Sequence, residues 1–208
     1  MDMTFVNDAA RAVHLLGLAM GFGGAIIADI SAVRAVVRAL DHREIEMLRL
    51  FHKVVFTGLA LLWGSGLVLL WLRTGFDPDN FSPKLITKIG VVVLLTLNAV
   101  AIGRIGLPTI VAYQSWRFGD LPLPLRFQLS ALGTMSAACW ISALCLGAFS
   151  QLKSMSWEAL SHMVGIVYLA ALCLAVIAAT ITPLVGVFVR YRERRRHMQA
   201  LGVGRVHG

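Results

Sequence analysis

Charge is scarce in this chain. Asp, Glu, Lys and Arg make up 14% of 208 residues, 58% of the residues are hydrophobic, and the mean hydropathy is +0.76. So few charges cannot clothe a water-soluble domain of this size, which makes an integral membrane protein the expectation. Cysteine is sparse as well. Cys139, Cys145 and Cys173 are odd in number and lie inside apolar runs, so a disulfide framework is excluded and all three read as small hydrophobes. Acidic residues are few: 11 against 19 Lys and Arg, for a formal charge of +8. The basic residues lie between apolar runs and at the C-terminus, so lipid head groups, not nucleic acid, are the expected partners. Also missing are a Ser, His and Asp arrangement of hydrolase type, a phosphate-binding glycine loop after a strand, a Met-rich or His-rich metal-collecting segment, an internal repeat and a soluble domain.

What is present is a set of apolar runs at roughly 12 to 33, 51 to 72, 85 to 107, 127 to 149 and 163 to 189, each long enough to cross about 30 Å of hydrocarbon. The predicted fold is all-α, a single bundle of five transmembrane helices over residues 1–189 with a basic cytoplasmic tail at 190–208. Asp2 and Asp8 with a lone Arg11 precede the first run, the wrong sign for a secretory signal, so it is expected to remain as a mature helix. Positive charge alternates between connections. Arg34, Arg38, Arg43, Arg49 and Lys53 lie in one, Arg104, Arg117 and Arg126 in another, and Arg190, Arg192, Arg194, Arg195 and Arg196 in the tail. The intervening connections are poor in it, which predicts an outside N-terminus and an inside C-terminus. The helical pattern from Arg34 to Lys53 breaks at Asp41-His42, predicting helices that extend into a cytoplasmic hairpin.

The first span carries the most informative stretch, His14-Leu15-Leu16-Gly17 through Gly23-Gly24. At about 100° per residue, Gly17, Gly21 and Gly24 fall within about 80° of His14, so one face bears an imidazole above a lane without side chains. That lane suits a packing helix, and it equally suits a flat ligand; self-association through it stays open. With the predicted topology, His14 and His162 have similar depth near the outer boundary. Lys84 and Lys88 are at the same level, one turn apart on the third span. Two imidazoles on facing helices make a natural axial pair for a haem iron, with cations for its propionates, so haem b ligated by His14 and His162 is expected near the outer face. Asn98, mid-span, either ties helices together or touches that ligand. His52, at the cytoplasmic edge, reads as a solvated boundary residue or as a second metal-ligand site. Asp29 is deeper in the first helix, with Arg34 and Arg104 as counter-ions. It reads as an ion-paired structural group first and a proton-path residue second.

These residues resemble a known group. His14-Leu15-Leu16-Gly17 followed by Gly23-Gly24 is similar to the helix-one signature of the CopD-type copper-resistance membrane proteins and the HemJ-type protoporphyrinogen oxidases. Lys84-Leu85, then Asn98, Arg104 and Pro108, resemble the third block of the CopD type. The likeness spans residues 14 to 110, and the chain differs from the oxidases in having Phe22 where they have Trp and Asn98 where they have a further His. The resemblance implies a multi-pass protein of the bacterial inner membrane, a haem-linked role for His14 and Lys84, and copper as the alternative cargo. The leading functional expectation is therefore a haem b protein for electron transfer, or for oxidation of a small, lipid-soluble or quinone-like partner. An ion or small-molecule transporter lined by Asp29, His14, Lys88 and Asn98 is the second reading, and a non-catalytic assembly subunit the third.

Overall fold

A computed structural model describes residues 2–200, and five of its helices are long and apolar enough to cross a membrane. The first, α1, is Met3–Val37 and the second, α2, is His42–Thr74. The third span, Pro83–Ala112, consists of α3 (Pro83–Ala101), one π turn (Ile102–Gly106) and α4 (Leu107–Ala112). The fourth and fifth spans are α5 (Leu123–Ala148) and α6 (Trp157–Ala200). Of the expected tail at 190–208, α6 covers the part up to Ala200, and residues 201–208 lie outside the described residues. Among the described residues there is no strand.

Local chemistry sets the ends. Asp2 caps α1, its carboxylate accepting from the Thr4 amide at 3.3 Å and the Thr4 hydroxyl at 2.6 Å. At the predicted break, Asp41 and Glu44 form a capping box that starts α2, and Arg38 pairs with Glu44 across the turn. Ser82 and Pro83 start α3. The π turn has a visible cause. Pro108 has no N–H and its ring crowds the carbonyl four residues back, so the ladder widens and the Leu107 amide reaches Ile102 O instead.

The connection of α1 to α2 (38–41) and that of α4 to α5 (113–122) share one end of the bundle, here called the hairpin end. The connections at 75–82 and 149–156 share the other, the amino-terminal end. Apolar side chains such as Leu15, Ile27, Val33, Leu97, Ile166 and Leu184 are exposed along the spans, as lipid-facing positions should be. Because lipid tails are as apolar as leucine, close packing and hydrogen bonds, not water exclusion, hold such helices together. The central core gathers Ala25, Val55, Leu59, Leu62, Leu95, Ala99 and Cys139 around the fully buried Trp140.

The closest approach in the bundle is between α1 and α2. A Cβ at Gly17 would come within 2.9 Å of Gly58 O and 3.0 Å of Leu62 N, and one at Gly58 within 2.6 Å of Gly21 N. Only glycine permits backbones this near. Of the three cysteines expected as small buried hydrophobes, Cys139 is buried, with the Tyr168 hydroxyl donating to its Sγ at 3.4 Å to link α5 and α6, whereas Cys145 is half-buried and Cys173 is exposed among the apolar outer residues of α6.

Candidate functional site

At the amino-terminal end, His14 on α1 is half-buried and faces α2 rather than α6. Its Nδ1 lies 3.0 Å from Ser65 Oγ, and that hydroxyl gives its one proton to Leu61 O at 2.5 Å. Ser65 therefore accepts from His14, which puts the ring hydrogen on Nδ1 and the lone pair on Nε2. The Leu62 carbonyl also accepts from the ring. Lys88 on α3 is near enough for its charge to act on the His14 ring, so those two expected site residues are brought together.

The other members of the expected outer site go elsewhere. His162 is on an exposed face of α6, and among the described residues no hydrogen bond or ring contact joins it to His14. Depth along a helix is legible from residue counts, whereas rotation about the axis is not. Lys84 donates from Nζ to Phe149 O at 2.6 Å and so closes the C-terminus of α5. Asn98 Nδ2 donates to Leu132 O at 3.0 Å, the tying role among its two expected ones. The glycine lane is filled by protein. Gly17 is against Gly58, Gly24 is against Val54 and Val55, and Gly21 lies under the Trp140 indole, so the room expected there for a porphyrin is taken by α2 and α5.

The room is at the hairpin end. A cavity of about 650 Å³ lies among all five spans and is bordered at the hairpin end by Tyr113, Gln114, Trp116 and Phe118 of the 113–122 connection. Its walls are made largely of small and branched apolar side chains, including Ala25, Ala28 and Ala32 of α1, Ala137 and Ala138 of α5, and Ala170 and Ala171 of α6. Besides Tyr113 at the border, two titratable groups that the sequence places on different helices and in different roles, Asp29 and His52, come into this wall. The expected pairing of Asp29 with Arg34 or Arg104 is absent. Asp29 makes no ion pair or hydrogen bond among the described residues. His52, expected either at a solvated boundary or in a second ligand site, is half-buried. It is edge-on to Phe56 with ring centroids 5.4 Å apart, and its Nε2 abuts the π turn, where a Cβ at Gly103 would come within 2.7 Å.

Two more polar groups, on residues of the cavity lining, lack partners. Trp140 Nε1 and Thr182 Oγ1 are buried without a hydrogen bond, although Trp140 is fully buried and Thr182 only 7% exposed. A buried donor left unpaired costs roughly 1–3 kcal/mol, and both atoms are sealed among protein atoms rather than presented to the cavity. Sequence alone carries no signal for this group, because a cavity arises from small residues on several helices at once.

The fit to haem is divided between the ends. The oriented imidazole and the amines are at the amino-terminal end, while the room is at the hairpin end, where Asp29 is the one charged residue among the described lining and would repel a propionate. Among the described residues no three His, Cys, Asp or Glu side chains gather as metal ligands, though an iron already held in a porphyrin asks for only one or two. No family model, curated protein or solved structure matches this chain.

Proposed function

We propose that this multi-pass membrane protein binds a neutral, lipid-soluble small molecule in the hairpin-end cavity, the end that its basic connections assign to the cytoplasm. The observation that carries this reading is the cavity itself. At about 650 Å³, it is within the range of ligand pockets, and it has a largely apolar wall with Asp29 and His52 among its few polar groups. A water-filled path would need a polar lining, whereas this wall is largely apolar. The test is photolabelling in lipid nanodiscs with a neutral aliphatic diazirine. Adducts are expected on cavity residues such as Leu132 and Ala171. They should disappear in Gly133→Phe, because Gly133 lines the cavity and a Cβ there meets nothing within 4 Å. Labelling confined to lipid-facing residues, or unchanged by Gly133→Phe, rejects the reading.

A second reading is favoured by one observation, the Ser65 hydrogen bond that leaves the lone pair of His14 on Nε2. Metal-bound histidines are oriented in this way by a partner on the other nitrogen. His14 would then hold a haem iron at the amino-terminal end, with Lys88 opposite a propionate, and the cofactor would supply one-electron chemistry. A Soret band that His14→Ala removes is the expected result for the protein purified from haem-sufficient cells. A colourless folded protein overturns it.

A further inference from the structure

The cavity's polar groups are selective about what they accept. The register of α1 against α2 follows from Gly17 beside Gly58 and Gly24 beside Val55 and Phe51 O. In that antiparallel register the residue facing His52 is close to Ile26, so Asp29 is about one helical turn nearer the hairpin end. Both groups line the same cavity and neither has a partner in the described structure. The Trp140 Nε1–H and the Thr182 hydroxyl, although on residues of the same lining, are sealed away from it by protein atoms.

An anionic head group is disfavoured, since Asp29 is there and no Lys or Arg is among the described residues lining the cavity. A plain hydrocarbon would leave His52 and Asp29 unsatisfied. His52 and Asp29 can each donate or accept according to where the proton is. Such a pair can follow a ligand whose oxygens change from acceptor to donor. Quinones do this: a ring carbonyl accepts, and the hydroxyl of the reduced ring donates, while ring and tail remain apolar.

We infer that the hairpin-end cavity is a binding site for a quinone or quinol ring, with His52 and Asp29 hydrogen-bonding its ring oxygens. This rests on the reading of the cavity as a site for a neutral lipid-soluble molecule. It assigns the head group to the half of the bundle below the π turn, where Gly103 lets His52 Nε2 approach the third span. His52 and Asp29 are the specificity-determining residues, and the alanine-rich faces of α1, α5 and α6 hold the ring and tail.

The test is competition against the diazirine label in nanodiscs. Decylubiquinone and its quinol should displace the label, and should do so better than decylbenzene, which has the same tail and no oxygens. His52→Leu and Asp29→Asn should each weaken the quinone by about fivefold or more while leaving decylbenzene unchanged, the size expected for one hydrogen bond. His52→Gln, which keeps a hydrogen-bonding tip, should recover part of the loss, and unchanged labelling by decylbenzene competition certifies that the variants are folded. Three results overturn the assignment. If decylubiquinone competes no better than decylbenzene while Gly133→Phe still abolishes labelling, the ligand class is wrong and the cavity reading survives. If decyltriphenylphosphonium competes best and only Asp29→Asn weakens it, the site belongs to lipophilic cations instead. If Gly133→Phe leaves labelling intact, the cavity reading fails first and this inference fails with it.

Discussion

The far edge of the Trp140 indole on α5 lies over Gly21 of α1, and a Cβ at residue 21 would overlap ring atoms Cη2 and Cζ2. This contact and the Gly17–Gly58 approach pin three helices together at one level, just above the cavity. Gly58→Ala must move backbone, because its Cβ would meet Gly21 N at 2.6 Å, and Gly21→Ala must move a fully buried tryptophan. Each is expected to cost about 1–3 kcal/mol, as overpacking of a filled core does. Gly23→Ala meets nothing within 4 Å and should be neutral or slightly stabilising, since alanine is the better helix former. Thermal unfolding in mild detergent, followed by circular dichroism, separates the two outcomes. Equal melting of Gly21→Ala and Gly23→Ala would show that the helices do not pack in this way.

Asn98 offers a cleaner measure of a single interhelical bond. Its Nδ2 donates to Leu132 O at 3.0 Å, and leucine at that position has nearly the same volume without the donor. Asn98→Leu should cost about 0.6–1.7 kcal/mol, the span found for hydrogen bonds between membrane helices, and should leave photolabelling of the cavity unchanged. A loss of labelling at full stability would instead make Asn98 part of a ligand site.

The contrast between Asn98 and His162 shows what a membrane sequence reveals. Hydropathy exposes every span, because an unbroken run of about 20 apolar residues matches the thickness of the hydrocarbon layer and exceeds what a buried helix of a soluble domain needs. Helix ends run past those windows: α1 begins at Met3, well before the expected start near residue 12, because Asp2 supplies a cap in the polar zone. Depth is legible too, since rise per residue is constant. Azimuth is not. Both faces of a span are apolar, one toward lipid and one toward protein, so no amphipathic stripe tells which way His162 points, and the structure turns it outward. The glycine lane is visible in the sequence as a surface, but its partners Gly58 and Trp140 are not, because small-residue contacts are specified by shape between distant segments. Asp29 and His52 are each visible as polar residues in apolar runs. Their shared cavity is not, since it exists only where several alanine-rich faces fail to meet.

Ser65 tests the tautomer of His14. In the native protein, ¹⁵N spectra of labelled imidazole should show a protonated Nδ1 and a bare Nε2, with the Nδ1 hydrogen held by Ser65 Oγ at 3.0 Å. Ser65→Ala removes that acceptor but leaves Leu61 O in its helical bond and Leu62 O beside the ring, so the Nδ1 resonance should shift as its 3.0 Å partner is lost, while the fold persists at a cost of about 1 kcal/mol. A spectrum unchanged by Ser65→Ala would show that the hydroxyl does not orient the ring.

The last prediction concerns the turn that borders the cavity at the hairpin end. The short turn Phe118–Asp120 rests on α6 through Gly119, where a Cβ would come within 2.8 Å of Thr182 O and 3.2 Å of Pro183 Cα. These are backbone atoms beside a proline, so no change of side-chain rotamer relieves the crowding, and the turn itself must lift. Gly119→Leu is therefore expected to move the 113–122 connection away from α6 and to open the cavity beside Thr182. Amides of that connection should exchange with deuterium about tenfold faster, corresponding to about 1.4 kcal/mol of lost local protection, while amides of α3 and α5 keep their native rates. Gly147→Leu, at the far end of α5 with nothing within 4 Å, is the control that should change neither. If Gly119→Leu leaves exchange at 113–122 as slow as in the native protein, the turn does not depend on contact with α6.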